Sequence, residues 1–270
     1  MMKHWLALLF LALGLALGAA AYANECDEFA KLVDREAEQT ALREKYQNTP
    51  GKIGKRVKDQ LEAERKKVTD LLATIEKPGY DAKAVADEIA AMKARSKALN
   101  SSLEALGPAN DRLAKLAAKR TSLSGGAAAR LDAETAALEK MFEENLTTGK
   151  YNTGGLARLE QRLHALEDVA AQAKPVAYEN PGGHVPGNPQ YQGGSPLPAD
   201  ADALFKKAIP EEPGKWWAFD GQYWHRFEGG PRNGQTFVHW NGSSDASVKP
   251  KLAIDPNLVP KWIREAFGQT

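Results

Sequence analysis

Within Lys215–Trp240, KWWAFDGQYWHRFEGGPRNGQTFVHW, the side chains that could do chemistry are His225, Arg226 and His239. A phosphodiester-cleaving site needs one or two acid–base groups that titrate near neutrality and a cation to hold the phosphate. His225, His239 and Arg226, with Asp220 or Glu228 nearby, could supply these. Neighbours along a strand point to opposite faces, so His225 and Arg226 diverge unless a bulge intervenes. A hydrogen-bonded sheet histidine is the simpler reading of both imidazoles. No nucleophile elbow, phosphate-cradling glycine loop or zinc-ligand spacing occurs, so neither metal nor cofactor is expected.

The same stretch holds four of the six tryptophans, Trp216, Trp217, Trp224 and Trp240. Asp220-Gly221 between two aromatic runs predicts a two-residue type I′ hairpin turn. Trp217 would then face Trp224, and Trp216 would face His225. One face would carry Lys215, Trp217, Phe219, Trp224 and Arg226, the other Trp216, Tyr223, His225 and Phe227. Rings combined with cations suit stacking on sugars, bases or proline-rich peptide. Lys215, Trp217, Trp224, Arg226 and Trp240 are therefore the candidate ligand-binding set, with Trp216, Tyr223 and Phe227 as core. Glu228 to Gly234 reads as a longer turn and Thr236 to Trp240 as a third strand. Asp255-Pro256 and Pro260 suit two short helix starts. A module of roughly 70 residues without a disulfide buries a marginal core, which makes most of its aromatics structural. Both hairpin faces are aromatic, however, and one terminal helix can cover only one.

Positioning this module falls to a long helical region. Residues 26–173 are rich in Ala, Leu, Glu and Lys, with apolar residues at helical spacing. The most regular run, over 81–106, places Val85, Ile89, Met92, Ser96, Leu99, Leu103 and Leu106 at alternating steps of four and three, the seam of a coiled coil. Glu64 fills one slot of the preceding seam. Breaks are expected at Asn48–Gly51, Lys77–Gly79, Gly107-Pro108, Ser124–Gly126 and Thr147–Gly155. Six helices folding back on one another are predicted, with narrow seams to which a homodimer would add burial. His164 has no second ligand at metal spacing. Residues 174–200 are dense in Pro and Gly and read as a mobile linker in which helix or strand is not expected, His184 and Tyr191 included.

The N-terminus has a basic start, an apolar run from Trp5 to Leu17 and an Ala21-x-Ala23 ending. It predicts a signal peptide cut after Ala23, leaving no stable membrane span and a secreted or periplasmic product. Lys and Arg number 36 against 35 acidic residues, a net charge of +1 that favours neither nucleic acid nor an acidic partner. The lone Cys26 cannot make an internal disulfide. The expected layout is a signal peptide (1–23), an α-helical coiled-coil or bundle region (24–173), a linker (174–200) and a small C-terminal α+β module (201–270) with a three-stranded antiparallel sheet.

Ala208-Ile209-Pro210, Trp217, Tyr223-Trp224-His225-Arg226-Phe227, Val238-His239-Trp240-Asn241-Gly242-Ser243, Val259-Pro260 and Ile263-Arg264 together resemble the tip domains at the C-termini of bacterial polymorphic toxins. The pattern spans the last quarter of the chain. A WW-domain likeness fails, because the first loop is too short and Ser243 stands where a proline is needed. Three functional expectations result, the third being that the helical bundle is the functional half and the C-terminal tip merely docks it. In the first, a coiled-coil stalk presents an aromatic module that binds an envelope polymer or protein. In the second, implied by the toxin resemblance, the module is a nuclease-like or other hydrolase, with RNA as substrate and an immunity protein as partner.

Overall fold

The computed structural model describes residues 19–123, 125–150, 152–172, 174–191, 195–247 and 250–269, with side chains from Asp27 onward. The predicted signal peptide therefore lies outside the described residues as far as residue 18, and the Cys26 side chain lies outside them too. Among the described residues no helix is long and apolar enough to cross a membrane. The chain divides into two compact units, residues 1–107 with 142–150, and residues 108–141 with 151–270.

The first unit is helical. Helices α1 (Ala19–Tyr46), α2 (Gly51–Ile75) and α3 (Ala82–Ala118, as far as Gly107) alternate in direction. Leu32 of α1 clusters with Ile75, Val85 and Ile89, while Lys45 at the far end reaches Glu104, 2.9 Å away. Lys67 and Glu64 of α2 meet Glu88 and Arg95 of α3 in the opposite order. All seven positions of the predicted α3 seam are buried. The polar slots of the α2 and α3 seams are matched. Gln39 Nε2 donates to Ser96 Oγ at 2.6 Å, and Arg95 holds Glu64 through Nε at 2.6 Å and Nη2 at 3.1 Å. Paired polar groups in a seam fix helix register more than they add stability.

The break predicted at Gly107-Pro108 does not occur, and α3 runs through it. A proline inside a helix removes one hydrogen bond and crowds the preceding turn, at about 3 kcal/mol. Here Leu103 and Leu106 before it, and Ala109, Leu113 and Leu116 after it, are all buried. Packing on both sides holds the helix together.

The second unit combines the end of α3, the first part of α4 (Ala127–Thr148), α5 (Thr153–Ala170), α6 (Ala201–Lys207) and α7 (Lys261–Ala266) with one sheet. Asn152 caps α5 by accepting from the Gly155 amide at 2.9 Å. The sheet has five strands, not three, and is mixed, not antiparallel. Its order is β1-β5-β4-β3-β2, with β1 (Ala177–Tyr178), β2 (Ile209–Glu212), β3 (Lys215–Phe219), β4 (Trp224–Arg232) and β5 (Gln235–Ser243). The extra strands flank the predicted three. β1 comes from the stretch read as linker, where Val176 is buried and Ala177–Tyr178 pair in parallel with Phe237–Val238.

Both hairpins differ in detail from expectation. Asn233-Gly234, with φ of 52° and 75°, is the tight turn between β4 and β5. At Asp220-Gly221 only the glycine has positive φ, and residues 220–223 form a wider loop closed by Asp220 N donating to Tyr223 O at 3.2 Å. Phe219 therefore pairs with Trp224, Trp217 with Arg226 and Trp216 with Phe227. The register is displaced by two residues, which keeps every side chain on its predicted face. A bulge opposite Arg226/Phe227 lets Phe227 pair with Trp240 and Arg226 with Gly242.

Each face has its own cover. Trp217, Trp224 and Ile209 join Trp262 and Ile263 of α7, Ile254, Val259 and Ala165 of α5 in one buried cluster. On the other face Phe205 of α6 lies 5.2 Å from Trp216 and 5.5 Å from Phe227, with Tyr178 stacked on it at 5.5 Å. The loop before α4 also closes on this face, where Gly126 N donates to Ala208 O at 2.9 Å. A Cβ on Gly126 would stand 2.5 Å from that oxygen and 2.6 Å from Lys207 O, both backbone atoms. Gly126→Ala is therefore expected to lower stability by roughly 1–3 kcal/mol. Gly107→Ala, whose added carbon meets nothing within 4 Å, should be neutral or mildly stabilising in its helix. Thermal midpoints of the two variants check the contrast, and equal midpoints would contradict the close approach.

Candidate functional site

The Asp220–Tyr223 loop and the β4–β5 ladder bring His225 into a closed chain of hydrogen bonds. Its Nε2 lies 2.9 Å from Asp220 Oδ2, and the Trp240 indole Nε1 lies 3.2 Å from its Nδ1. An indole nitrogen can only donate, so Nδ1 accepts and the ring proton sits on Nε2, facing the carboxylate. Asp220 Oδ1 also accepts from the Gln222 and Tyr223 amides, each at 2.7 Å. Burial pushes the Asp220 carboxyl upward, but the Tyr223 amide, the His225 ring and the Gln222 amide outweigh it and hold the carboxyl below its usual range. His225 is 5% exposed with both ring nitrogens engaged. It ties the turn to β5, and no lone pair is left for a substrate proton.

Arg226 and His239 lie on the other face, as the pairing of Glu228 with His239 requires. The Arg226 guanidinium sits 6.0 Å from the Trp217 ring, with Nε 3.1 Å from Glu228 Oε1 but without the alignment of a hydrogen bond. Asn241 Nδ2 donates to the other Glu228 oxygen. Lys215 Nζ reaches Glu211 Oε2 at 3.1 Å and lies 5.6 Å from the Trp217 ring, and Trp217 Nε1 donates to the same Glu211 oxygen at 2.7 Å. The proposed catalytic trio is thus split, with His225 separated from Arg226 and His239.

The three rings of the candidate binding platform are buried, while Lys215 and Arg226 stay partly exposed. Trp217 is 0% exposed, Trp224 5% and Trp240 2%. Trp224 is boxed by Phe219 at 4.9 Å and by Phe267, beyond α7, at 5.5 Å. The expectation that one face would stay open counted a single covering helix. α6, Tyr178 and the loop before α4 supply a second cover.

What the sequence reading passed over is His184. Its Nδ1 donates to the Ser195 carbonyl at 3.0 Å, and its ring lies 6.4 Å from that of His239 at 27° and meets the Trp240 edge at 5.0 Å. Burial pushes the half-buried His239 imidazole below its ordinary value, and His184 adds to this, while Glu179 and Glu228 oppose it. No sequence signal separates His184 from other linker residues, because its partner is a strand far along the chain. Among the described residues no group of three or more His, Cys, Asp or Glu is placed to hold a metal.

The helical unit has a cleft of about 740 Å³ between the second half of α1, the Gln47–Asn48 connection and α2. Arg43, Lys58 and Arg65 line it together with Glu36 and Glu62, over buried Val57, Leu61 and Val68. Among the described residues these three cations have no ion-pair partner, unlike Arg56 and Arg95 of the same unit, which are held by Glu143 and Glu64. The volume lies in the range of small-ligand sites, and the walls are polar.

No protein-family model, curated protein or solved structure matches the chain.

Proposed function

We propose that the protein is an exported interaction protein that binds an envelope polymer or a protein partner through its helical unit. In this reading α1–α3 form a coiled-coil-type scaffold, self-association adds burial to its seams, and the aromatic C-terminal unit is a folded element with no binding platform of its own. The observation that carries it is the α1–α2 cleft, where three cations have no ion-pair partner among the described residues while the tryptophans of the sheet are consumed by packing. Free guanidinium and ammonium groups beside Gln47 and Asn48 offer donors to carboxylates and hydroxyls.

The test is retention of the chain from Asn24 onward on purified cell-wall glycan at low salt. Arg43→Glu with Arg65→Glu is expected to lower retention about tenfold, and added salt should weaken the unmodified chain. Retention that ignores both changes would remove the cleft from the reading.

A hydrolase reading keeps one specific observation in its favour, the approach of His184 to His239. Two imidazoles at that separation could serve as base and acid in phosphodiester cleavage, and RNA and an immunity protein belong to that reading. Expression of the chain from Asn24 in bacterial cytoplasm separates the two. Growth arrest relieved by His239→Ala supports the hydrolase, and harmless accumulation of folded protein supports the interaction protein.

A further inference from the structure

We infer that the His184–His239 contact is a pH-sensitive latch, which holds residues 180–191 against the β5 edge near neutral pH and releases them on mild acidification. Three observations on this segment point the same way. Its turns are local, with Val185, Asn188 and Tyr191 amides each donating to a carbonyl three residues earlier. Beyond β1, its His184 ring is set against His239 and Trp240 of the sheet. The imidazole is further fixed through Ser195 O, and the His184 carbonyl accepts from Leu197 N at 2.7 Å, so displacing residue 184 as a whole breaks both bonds.

The charges around His239 decide the direction. From β4 it faces Glu228, which is occupied by Arg226 and Asn241. From the end of β1 it faces Glu179, which Arg232 holds at 2.5 Å. From residues 180–191 it faces His184. Both carboxylates already have cationic or amide partners, so a second positive charge on the imidazole pair is poorly compensated. Protonating one ring disfavours protonating the other while they stay in contact. His239 is held below its ordinary value by burial and by His184, so the latched form binds fewer protons than the open form. The stabilisation it contributes is complete above the ordinary histidine value of about 6.5 and is lost as pH falls below it. His225 has a different setting, paired to Asp220 on the other face.

The test is amide hydrogen exchange of the full chain from Asn24, corrected for intrinsic rates, at about pH 7.5 and about pH 5.5, with His184→Gln and His239→Gln beside it. Protection of Leu197 is expected to fall about tenfold in the unmodified chain. In His239→Gln it should stay constant within about twofold. An NMR titration should find the His239 midpoint higher in His184→Gln than in the unmodified chain. Constant protection in the unmodified chain overturns the latch, as does an equal fall in His239→Gln, which would assign the transition to another group. An unchanged His239 midpoint in His184→Gln also overturns it.

Discussion

Trp217→Ala is expected to remove roughly 3–5 kcal/mol from the stability of the C-terminal unit. Trp217 is fully buried at the centre of the cluster formed by Trp224, Ile209, Trp262, Ile263 and Val259. Its loss would leave a cavity that α5 and α7 cannot both collapse into while β3 stays paired. The indole also donates to Glu211, so truncation removes a partner from a carboxylate that Lys215 alone would then hold. Trp217→Phe keeps most of the volume and loses that hydrogen bond and part of the packing, at roughly 1–3 kcal/mol. Leu258→Ala, at a side chain 59% exposed, should fall within about 0.5 kcal/mol. Urea unfolding followed by near-ultraviolet dichroism ranks the three. A Trp217→Ala variant as stable as Leu258→Ala would return Trp217 to the list of surface rings.

The second large effect is expected at Glu134. This carboxylate is 0% exposed and joins two guanidiniums, Arg130 one turn earlier on α4 and Arg162 of α5, whose Nε donates at 2.7 Å. Burial pulls the Arg130 value down, Glu134 resists that, and the neighbouring Arg162 adds to it. Removing Glu134 leaves two like charges facing each other away from water. Glu134→Ala should lower stability by about 3–5 kcal/mol. Replacing all three residues together by Met, Leu and Met should recover most of the loss, because an apolar set of similar volume needs no desolvation of charge. The check is the pair of urea midpoints. A triple variant no better than Glu134→Ala would mean that the charges do more than compensate one another.

How far the sequence reaches can be read from particular residues. The α3 seam was visible because a buried stripe imposes its own period, and Ser96 and Glu64 at polar slots meet Gln39 and Arg95. Periodicity does not report when packing overrides a proline, so Pro108 was misread as a stop. On the sheet, alternation placed Trp216 and Trp217 on opposite faces, and a register error of two residues left that intact. Asp220-Gly221 carries the same turn chemistry, yet Asn233-Gly234, with positive φ at both residues, closes the tight hairpin. What lay out of reach was long-range cover. Nothing local in Tyr178, Phe205 or Gly126 says that they will seal the second aromatic face, and nothing near His184 says that it will meet His239.

The two covers of the sheet differ in when they exist. Gly126, Tyr178 and Phe205 all precede the strands whose aromatic face they close, and Ala165 precedes the Trp217 face that it joins. A ribosome working from the N-terminus therefore delivers the cover of the Trp216 face before Trp216 and Trp217 emerge, whereas most of the Trp217 cover follows them. Strands with exposed rings and free edges are the most aggregation-prone part of a growing chain. In this protein their exposure ends in two stages, the first as β3–β5 arrive against chain already made, the second when Trp262 and Ile263 of α7 complete the core. The vulnerable interval of synthesis is thereby narrowed to the stretch between β5 and α7.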